Sequence, residues 1–463
     1  MLRHAILILT GNSFASLLLF ARNIVVARLI PVEDYGIAAT FAIAMAVVEM
    51  ASQLGLHQLI VQARNGEDPR FQAALQGFQL LRGLLSGLLL AVLAGVLADF
   101  MNIPEVAWAY QVLALVPVLN ALQHFDIHRM NRSMRFMPMI LTGAVPAVLS
   151  LLAIWPLAAW LGDYRVMLGA LLLQAASATI TSHLVAEQPY RLVLDRAITR
   201  HALSFGWPLL VNGALLFAVY QGDRVIVGRE LGMLELALFS MGVTVTLTPT
   251  LIMAKSLQNL FLPQLSQETD PRSASHAALC QAVVQATLLS GAVLVPVVQI
   301  FGPWVITAAL GDRYTALLPL LGLFAVQQGI RLLKNGPNLI SLALGHSIDA
   351  MLANGVRVLF LPLAWVLVVQ GYGVVSLLLM GIVAELLGLA LSIVLVLRRL
   401  ELSLRPSRLP IALTLAMMAA ATLSAVAPQA ALSRAADGAV LLLFAALSIS
   451  SGLLYRHFRT SRG

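Results

Sequence analysis

Charged side chains inside apolar segments are the residues of this sequence whose type and position could do chemistry. Charges at membrane depth are costly, and they usually line a water-filled cavity or an ion path. Guanidinium groups at this depth could bind an anionic substrate, and carboxyl groups could carry a coupling proton or sodium ion. The arginines are Arg22, Arg82, Arg224 and Arg357, and the acids are Glu49, Asp223 and Glu385.

Two pairs among these residues are informative. Glu49 and Arg82 fall at comparable depth on consecutive predicted helices. They would either form a structural ion pair or face a cavity, and the sequence leaves both interpretations open. Asp223 and Arg224 are adjacent, so on a helix they point about 100° apart and do not pair with each other. At least one of them must meet another partner.

The elements that position these residues are membrane-spanning helices. The chain has 463 residues, of which 60% are hydrophobic and 11% charged, and its mean hydropathy is +0.89. A soluble domain has about a quarter of its residues charged, so a soluble fold is excluded. Long apolar runs indicate helices rather than a barrel. Hydropathy predicts fourteen spans, at 5–30, 36–61, 73–98, 106–124, 137–161, 165–186, 206–228, 235–258, 277–300, 315–333, 350–370, 373–397, 410–427 and 438–455.

Basic residues in the short connecting segments predict the orientation of the chain. With alternating helices and the N-terminus inside, the inside segments hold nineteen basic residues and the outside segments five. This bias predicts that both termini are cytoplasmic. The net charge of +8 therefore reflects cytoplasmic loops and does not indicate a nucleic-acid partner. The single cysteine, Cys280, excludes an internal disulfide and a cysteine-based metal cluster.

An internal repeat divides the chain into two halves. A shift of 201 residues aligns the turn ARLIPVEDYG with GRELGMLELA and places Arg22 on Asp223. Six helices per copy is an even number, so the copies have the same topology. We expect an all-α integral membrane protein with parallel six-helix lobes at 1–200 and 201–400, followed by two additional helices at 401–463.

Parallel lobes of this kind are typical of an alternating-access transporter with its site between the lobes. Arg22 and Asp223 would then face each other across the pathway. The sequence holds no phosphate-binding glycine loop, no H-E-x-x-H and no nucleophile elbow. We therefore expect a transporter and not an enzyme, without cofactor or metal, driven by a proton or sodium gradient, the membrane potential or the gradient of its cargo.

Other polar residues receive structural interpretations. Polar side chains within spans are each expected to form hydrogen bonds between helices, among them Asn120, Gln174, Gln221 and Asn354. His124 and His128 are one helical turn apart, but a third metal ligand is lacking. The arginines that follow them instead favour a basic loop near anionic headgroups.

The turn near the N-terminus has a local physical explanation. Pro31 should end the first helix, and Glu33 and Asp34 should lie in the first turn of the second, facing its positive dipole end. Tyr35 falls where aromatic rings prefer the membrane interface. These residues could therefore form a purely structural turn at the outer face.

This segment resembles the N-terminal signature of bacterial polysaccharide flippases, the polysaccharide-transport branch of the multidrug/oligosaccharidyl-lipid/polysaccharide exporter superfamily. The matching residues are Arg28, Leu29, Pro31, Glu33, Asp34, Tyr35 and Gly36 in the turn, and Gly55-Leu56 at the end of the second helix. Gln53 departs from the pattern, which often has an acid there. The segment HRMNRSMRFMPMI also resembles the family's loop before the fifth helix.

The resemblance implies a flippase of the bacterial inner membrane. It would move a polyprenyl-pyrophosphate-linked oligosaccharide to the outer leaflet by alternating access, for lipopolysaccharide or exopolysaccharide synthesis. Expected partners are this lipid-linked oligosaccharide, membrane lipids, and the polysaccharide polymerase with its chain-length machinery. Arginines suit the pyrophosphate because the guanidinium fork binds phosphate oxygens bidentately.

Three alternatives stay open at this point. A drug cation antiporter of the same superfamily would favour a mostly acidic and aromatic cavity, whereas the basic residues within these spans argue otherwise. A peptidoglycan-precursor flippase would share the same charge pattern. A membrane-embedded enzyme of polysaccharide assembly would usually carry a large external loop, and the predicted outside loops are short.

Overall fold

A computed structural model describes residues 2–52, 54–63, 65–268, 270, 273–400 and 408–426, and every regular element among them is helical. The α-helices are α1 Leu2–Leu29, α2 Val32–Ser52, α3 Leu56–Gln62, α4 Pro69–Phe100, α5 Ala107–Leu113, α6 Leu115–Ala121, α7 Asp126–Arg132, α8 Met137–Leu161, α9 Arg165–Leu184, α10 Arg196–Glu230, α11 Met233–Gln267, α12 Ala274–Leu310, α13 Leu321–Ala343, α14 Ser347–Leu367, α15 Gly373–Leu400 and α16 Arg408–Val426. Short 3₁₀ segments cover Pro104–Val106 and Asp312–Leu320, and a π-helical turn covers Val368–Tyr372.

The predicted all-α membrane architecture is confirmed. Within the described ranges, eight helical segments are long and apolar enough to cross a membrane. A ninth is added if Pro104–Ala121 and Asp126–Arg132, which meet at 47°, form one bent span. The predicted span 438–455 lies outside the described residues, so the count of fourteen stays a prediction.

Helix ends follow local sequence signals. Pro31 separates α1 from α2, as predicted, and Glu33 and Asp34 lie in the first turn of α2. Asp68 caps α4, because its carboxylate accepts a hydrogen bond from the backbone N–H of Arg70 at 2.9 Å. Such caps satisfy N–H groups that have no partner inside the helix.

Two predicted spans are interrupted. The span 36–61 breaks into α2 and α3 at Gly55, whose φ of 61° is in the left-handed region that glycine adopts without strain. The span 106–124 is divided into α5 and α6 and is followed, after a bend, by α7. Hydropathy alone did not indicate these breaks, because a window of about twenty residues averages over the polar residues beside them, such as His57 and Gln123.

By backbone contacts the described chain forms two compact units, unit 1 up to Ala237 and unit 2 from Leu238 onward. In unit 1, α8 packs against α9 and α1, α4 against α5 and α6, and α10 against α2. In unit 2, α13 packs against α12 and α15, and α14 against α15. The lobes expected at 1–200 and 201–400 rest on the sequence repeat and stay a prediction.

Candidate functional site

A cavity of about 210 Å³ in unit 1 contains two of the predicted site residues, Glu49 and Arg82. We call it the unit 1 cavity. Helices α2, α3, α4, α6 and α7 contribute to its wall. The lining residues are Val48, Glu49, Gly55, Leu56, His57, Gln79, Arg82, Gly83, Ser86, Pro117, Asn120 and His128. Charged and polar side chains from five helices therefore converge on one space.

Glu49 and Arg82 attract each other across the unit 1 cavity. The Glu49 side chain is exposed and that of Arg82 is half-buried, so both remain reachable from the cavity. The sequence left open whether Glu49 and Arg82 form an ion pair or face a cavity. Both interpretations hold together, since the two residues attract each other and also line the cavity. Their opposite charges leave the cavity wall close to neutral.

His57 and His128 lie side by side in the same wall. Their ring centroids are 5.7 Å apart, and Phe125 packs 4.9 Å from the His128 ring. His128 therefore neighbours His57 rather than His124, whose ring packs against His183 instead. The sequence analysis missed this pair, because the two residues are far apart in the chain and on different helices.

The bend between α6 and α7 places Asn120 and His128 on the cavity wall. Backbone groups freed at such a bend need partners, because a membrane interior offers no water. Gln76 Nε2 donates to the carbonyl oxygen of Gln123 at 3.1 Å, and Gln76 Oε1 accepts from the N–H of Phe125 at 2.7 Å. Gln79 Nε2 donates to the carbonyl oxygen of Ala121 at 3.1 Å. Glutamines of α4 thus hold the bend in place.

Helix α9 supports the same bend from the other side. Thr179 Oγ1 donates to the carbonyl oxygen of Leu119 at 2.6 Å, and Ser182 Oγ accepts from the N–H of His124 at 2.8 Å. Side chains from two neighbouring helices therefore replace the missing helical hydrogen bonds.

The basic residues of α7 and of the segment that follows it are held by acids and carbonyl groups. Arg132 donates to the carbonyl oxygen of Val61 at 2.8 Å, and Arg129 lies 3.4 Å from the Glu67 carboxylate. Arg135 binds Glu187 through two hydrogen bonds of 2.8 and 2.5 Å, and these lower the pKa of the Glu187 carboxyl. The expected role of this segment near anionic headgroups stays a prediction.

Arg22 lies in a second cluster of unit 1 and is 7% exposed. Its Nη1 donates to Gln174 Oε1, and its Nη2 donates to Asn23 Oδ1 at 3.4 Å. The bond to Gln174 joins α1 to α9, as expected for a polar residue within a span. Among the described residues, Arg22 forms hydrogen bonds to amides and no ion pair.

Tyr35 lies close to both Arg22 and Arg224 and is 4% exposed. Helix α10 packs against α2, and the ring is buried within the protein. Its predicted depth at the membrane interface stays a prediction. Arg224 donates to Gln221 Oε1 at 3.0 Å and attracts the buried carboxylate of Asp223. Arg22 and Arg224 therefore both lie beside Tyr35. That Arg22 and Asp223 face each other across a transport pathway stays a prediction.

Gly36, the glycine of the N-terminal signature, allows α2 and the start of α11 to pack closely beside the cluster of Arg22, Tyr35 and Arg224. A Cβ added to Gly36 would lie 1.9 Å from the carbonyl oxygen of Met233, at the start of α11. Arg229, the repeat counterpart of Arg28, donates to the carbonyl oxygen of Phe100 at 2.5 Å. The two turns that the sequence repeat aligns, ARLIPVEDYG and GRELGMLELA, therefore both make close backbone contacts. Gln53, the departure from the signature, lies outside the described residues.

Glu385 and Arg357 lie in a buried charge cluster of unit 2. Arg331 Nε approaches Glu385 Oε1 at 2.6 Å, and Lys334 Nζ approaches Glu385 Oε2 at 2.7 Å. Lys334 also donates to Asn354 Oδ1 at 3.0 Å, and Arg357, 1% exposed, attracts the same carboxylate. Three cations therefore surround one carboxylate.

Arg331 and Lys334 are two of the nineteen basic residues that the sequence analysis counted in the inside segments. Their place in a connecting segment is wrong, because both lie within helix α13, whereas the side of the membrane stays a prediction. The predicted span ended at 333, whereas α13 continues to Ala343 and buries Lys334 to 5% exposure. Hydropathy windows end where charges begin, so they cannot recognise a charge that is satisfied by a residue from another helix.

Comparison with known proteins identifies relatives of this chain. Residues 25–319 match a protein family described as polysaccharide biosynthesis protein. The succinoglycan biosynthesis transport protein ExoT of Rhizobium meliloti (strain 1021) is 22% identical over 318 residues, which is 66% of this chain. The match spans only 62% of the length of that curated relative.

Solved structures show the same fold at low identity. The lipid II flippase MurJ in an inward closed conformation matches with a TM-score of 0.71 and 13% identity, covering 99% of this chain and 100% of that one. An inward-facing multidrug resistance MATE family transporter of the MOP superfamily matches with a TM-score of 0.65 and 14% identity, covering 82% and 94%.

Proposed function

Because the chain belongs to the polysaccharide biosynthesis protein family, we propose that it is a flippase for a polyprenyl-pyrophosphate-linked oligosaccharide. The oligosaccharide would cross the bacterial inner membrane for surface polysaccharide synthesis. The similarity to a succinoglycan biosynthesis transport protein supports this cargo class, and the fold shared with the lipid II flippase MurJ supports transport rather than catalysis. Both termini would be cytoplasmic, and the polymerase and chain-length machinery would be partners.

The observation that carries this proposal is the environment of Arg22. A guanidinium group in a membrane interior costs about 2.5–3.5 kcal/mol on insertion scales. Arg22 is buried, and its described partners are the neutral amides of Gln174 and Asn23. An anion would stabilise this charge, and the pyrophosphate of the cargo offers pairs of oxygens that suit the guanidinium fork.

Arg82 and Arg224 would extend the anion site within unit 1. Arg82 is held by Glu49 at the cavity, and Arg224 lies beside Tyr35 together with Arg22. A pyrophosphate arriving at Arg82 would compete with the Glu49 carboxylate. Arg357 of unit 2 stays a candidate for binding the cargo.

This competition supports a role for Glu49 in coupling. A carboxylate that loses its arginine partner to an anion becomes easier to protonate, or to pair with sodium. Asp223 adjoins Arg224 and stays a coupling candidate. Glu385 remains a candidate, but Arg331 and Lys334 hold its carboxylate on both oxygens, which opposes proton uptake.

The charges also separate this proposal from a drug cation antiporter, the alternative that the sequence left open. A multidrug resistance MATE family transporter shares this fold. Arg22, whose described hydrogen-bond partners are neutral amides, would repel a cationic substrate. A peptidoglycan precursor shares the pyrophosphate group, so it differs from the proposed cargo in its sugars and not in the chemistry at Arg22.

Deletion of the gene tests the proposed function directly. We expect surface polysaccharide to be lost while full-length lipid-linked oligosaccharide accumulates, measured by mass spectrometry of extracted lipids. Shortened precursors would show that the protein acts in synthesis. Normal surface polysaccharide in the deletion strain would contradict the proposal.

A further inference from the structure

We propose that His57 and His128 belong to the anion site and that the unit 1 cavity takes up a proton together with the pyrophosphate group. This inference rests on the proposed function, because it assumes that the pyrophosphate enters this cavity. It adds two residues and a source of positive charge to the site.

The charge balance of the cavity wall explains why a proton should enter together with the pyrophosphate. Arg82 contributes one positive charge, and Glu49 opposes it. A pyrophosphate diester carries a negative charge on each of its two phosphates. Arg22 and Arg224 lie in the separate cluster around Tyr35, so Arg82 is the one arginine among the described residues of this cavity wall and leaves the site with excess negative charge. Imidazole can supply further positive charge within the wall, because it is the side chain that gains a proton near neutral pH.

The two histidines are placed to supply that charge. Both line the cavity, and their rings are 5.7 Å apart. Arg82 also lies near His57, and the three basic groups repel one another when charged. The empty cavity therefore favours neutral imidazoles, whereas an anion between them favours the protonated form.

The other charged groups of α7 are engaged elsewhere, and Arg196, Arg200 and His201 of α10, which packs against α3, are absent from the cavity wall. Beside His128 on α7, Arg129 binds Asp126 at 2.5 Å, and Arg132 donates to the carbonyl oxygen of Val61 at the end of α3. On α2 and α4 the titratable groups of the cavity wall are Glu49 and Arg82. The histidines are thus the wall groups whose ordinary pKa, near 6.5, lies close to neutrality.

The sign of the linkage follows from this arrangement. Anion binding raises the proton affinity of the imidazoles, so proton uptake strengthens anion binding by the same amount. The added affinity is present at low pH and is lost as the pH rises through the pKa of the occupied site.

The test measures binding of a defined pyrophosphate diester to the full-length protein in lipid nanodiscs. The probe is citronellyl-pyrophosphoryl-N-acetylglucosamine, which does not itself titrate near neutral pH. Isothermal titration calorimetry in buffers of different ionisation enthalpy counts the protons taken up. We expect proton uptake at pH 7 and about tenfold tighter binding at pH 6 than at pH 8, which corresponds to one linked proton over part of its titration range.

Substitution identifies the groups responsible. The double variant His57→Asn/His128→Asn should take up fewer protons than the wild type and should lose most of the pH dependence of binding. The matched control is His201→Asn, an exposed histidine of α10 that is absent from the cavity wall, and it should behave like the wild type. If the double variant does not fold, His57→Asn alone, at an exposed position, should reduce the uptake.

The outcomes separate this inference from the proposed function. Binding without proton uptake, or uptake that both histidine substitutions leave undiminished, overturns the histidine inference and leaves the flippase proposal intact. Absence of binding at both pH values contradicts the pyrophosphate cargo, and the inference falls with it.

Discussion

Arg22 of α1 donates a hydrogen bond to the side-chain oxygen of Gln174 in α9. This contact explains how a guanidinium group is tolerated in an apolar helix without a carboxylate among its described partners. The neutral amide partly solvates the charge and leaves it able to attract an anion. The same contact ties together two helices that lie far apart in the sequence.

The first prediction concerns the stability that Gln174 provides. Gln174→Leu removes the acceptor and should destabilise the protein by about 1–3 kcal/mol, because a buried charged donor loses its partner. In the Arg22→Ala background the same substitution should cost much less. Melting temperatures of the two single variants and the double variant form the cycle. Equal effects of Gln174→Leu in both backgrounds would show that the hydrogen bond contributes nothing.

Gly36 should not tolerate a side chain. Gly36→Ala places a Cβ 1.9 Å from the carbonyl oxygen of Met233, so the backbone must move, at a cost of about 1–3 kcal/mol. Gly95→Ala is the matched control, since a Cβ there meets nothing within 4 Å. The melting temperature of Gly36→Ala should fall below that of the wild type, whereas that of Gly95→Ala should not. A stable Gly36→Ala protein would mean that the signature glycine has no packing role.

Glu385 should be required for folding. Glu385→Gln leaves Arg331, Lys334 and Arg357 buried around a neutral amide, and breaking such a cluster costs about 3–5 kcal/mol. Expression and melting temperature should fall together. Asp163→Asn, in the exposed pair with Arg165, is the control and should change stability by at most about 1 kcal/mol. Normal stability of Glu385→Gln would show that Glu385 is not needed for folding, and ion coupling would then become its more plausible role.

Glu49 should be dispensable for folding and required for coupling. Its side chain is exposed at the cavity, so Glu49→Gln keeps the shape of the wall and removes the carboxylate. In proteoliposomes, transport by the variant should lose its response to imposed proton and sodium gradients. An undiminished response to either gradient would assign coupling by that ion to another residue.

The sequence predicts those features that depend on neighbouring residues. Pro31 and Asp68 mark helix ends through their own backbone chemistry, and apolar runs of about twenty residues indicate spans. Glu49 and Arg82 were recognised as related because consecutive helices place them at similar depth.

Features that depend on distant partners were not predictable. Lys334 looked like a loop residue, because nothing in its own segment shows that Glu385 and Asn354 receive its ammonium group. The bend before α7 depends on Gln76 and Gln79 from another helix. A hydropathy window contains no information on such contacts.

The most direct test of the account is the rate at which purified protein moves a lipid-linked oligosaccharide across proteoliposome membranes, scored by its exposure to an impermeant glycosidase. Arg22→Ala should insert and melt like the wild type, because it removes a buried charge, and its rate should equal that of protein-free liposomes. Arg22→Lys should recover part of the rate, since a point charge cannot bind two oxygens side by side. Lys255→Ala, at an exposed position, is the control and should transport normally. Wild-type transport by Arg22→Ala would contradict the proposed role of Arg22 in binding the cargo.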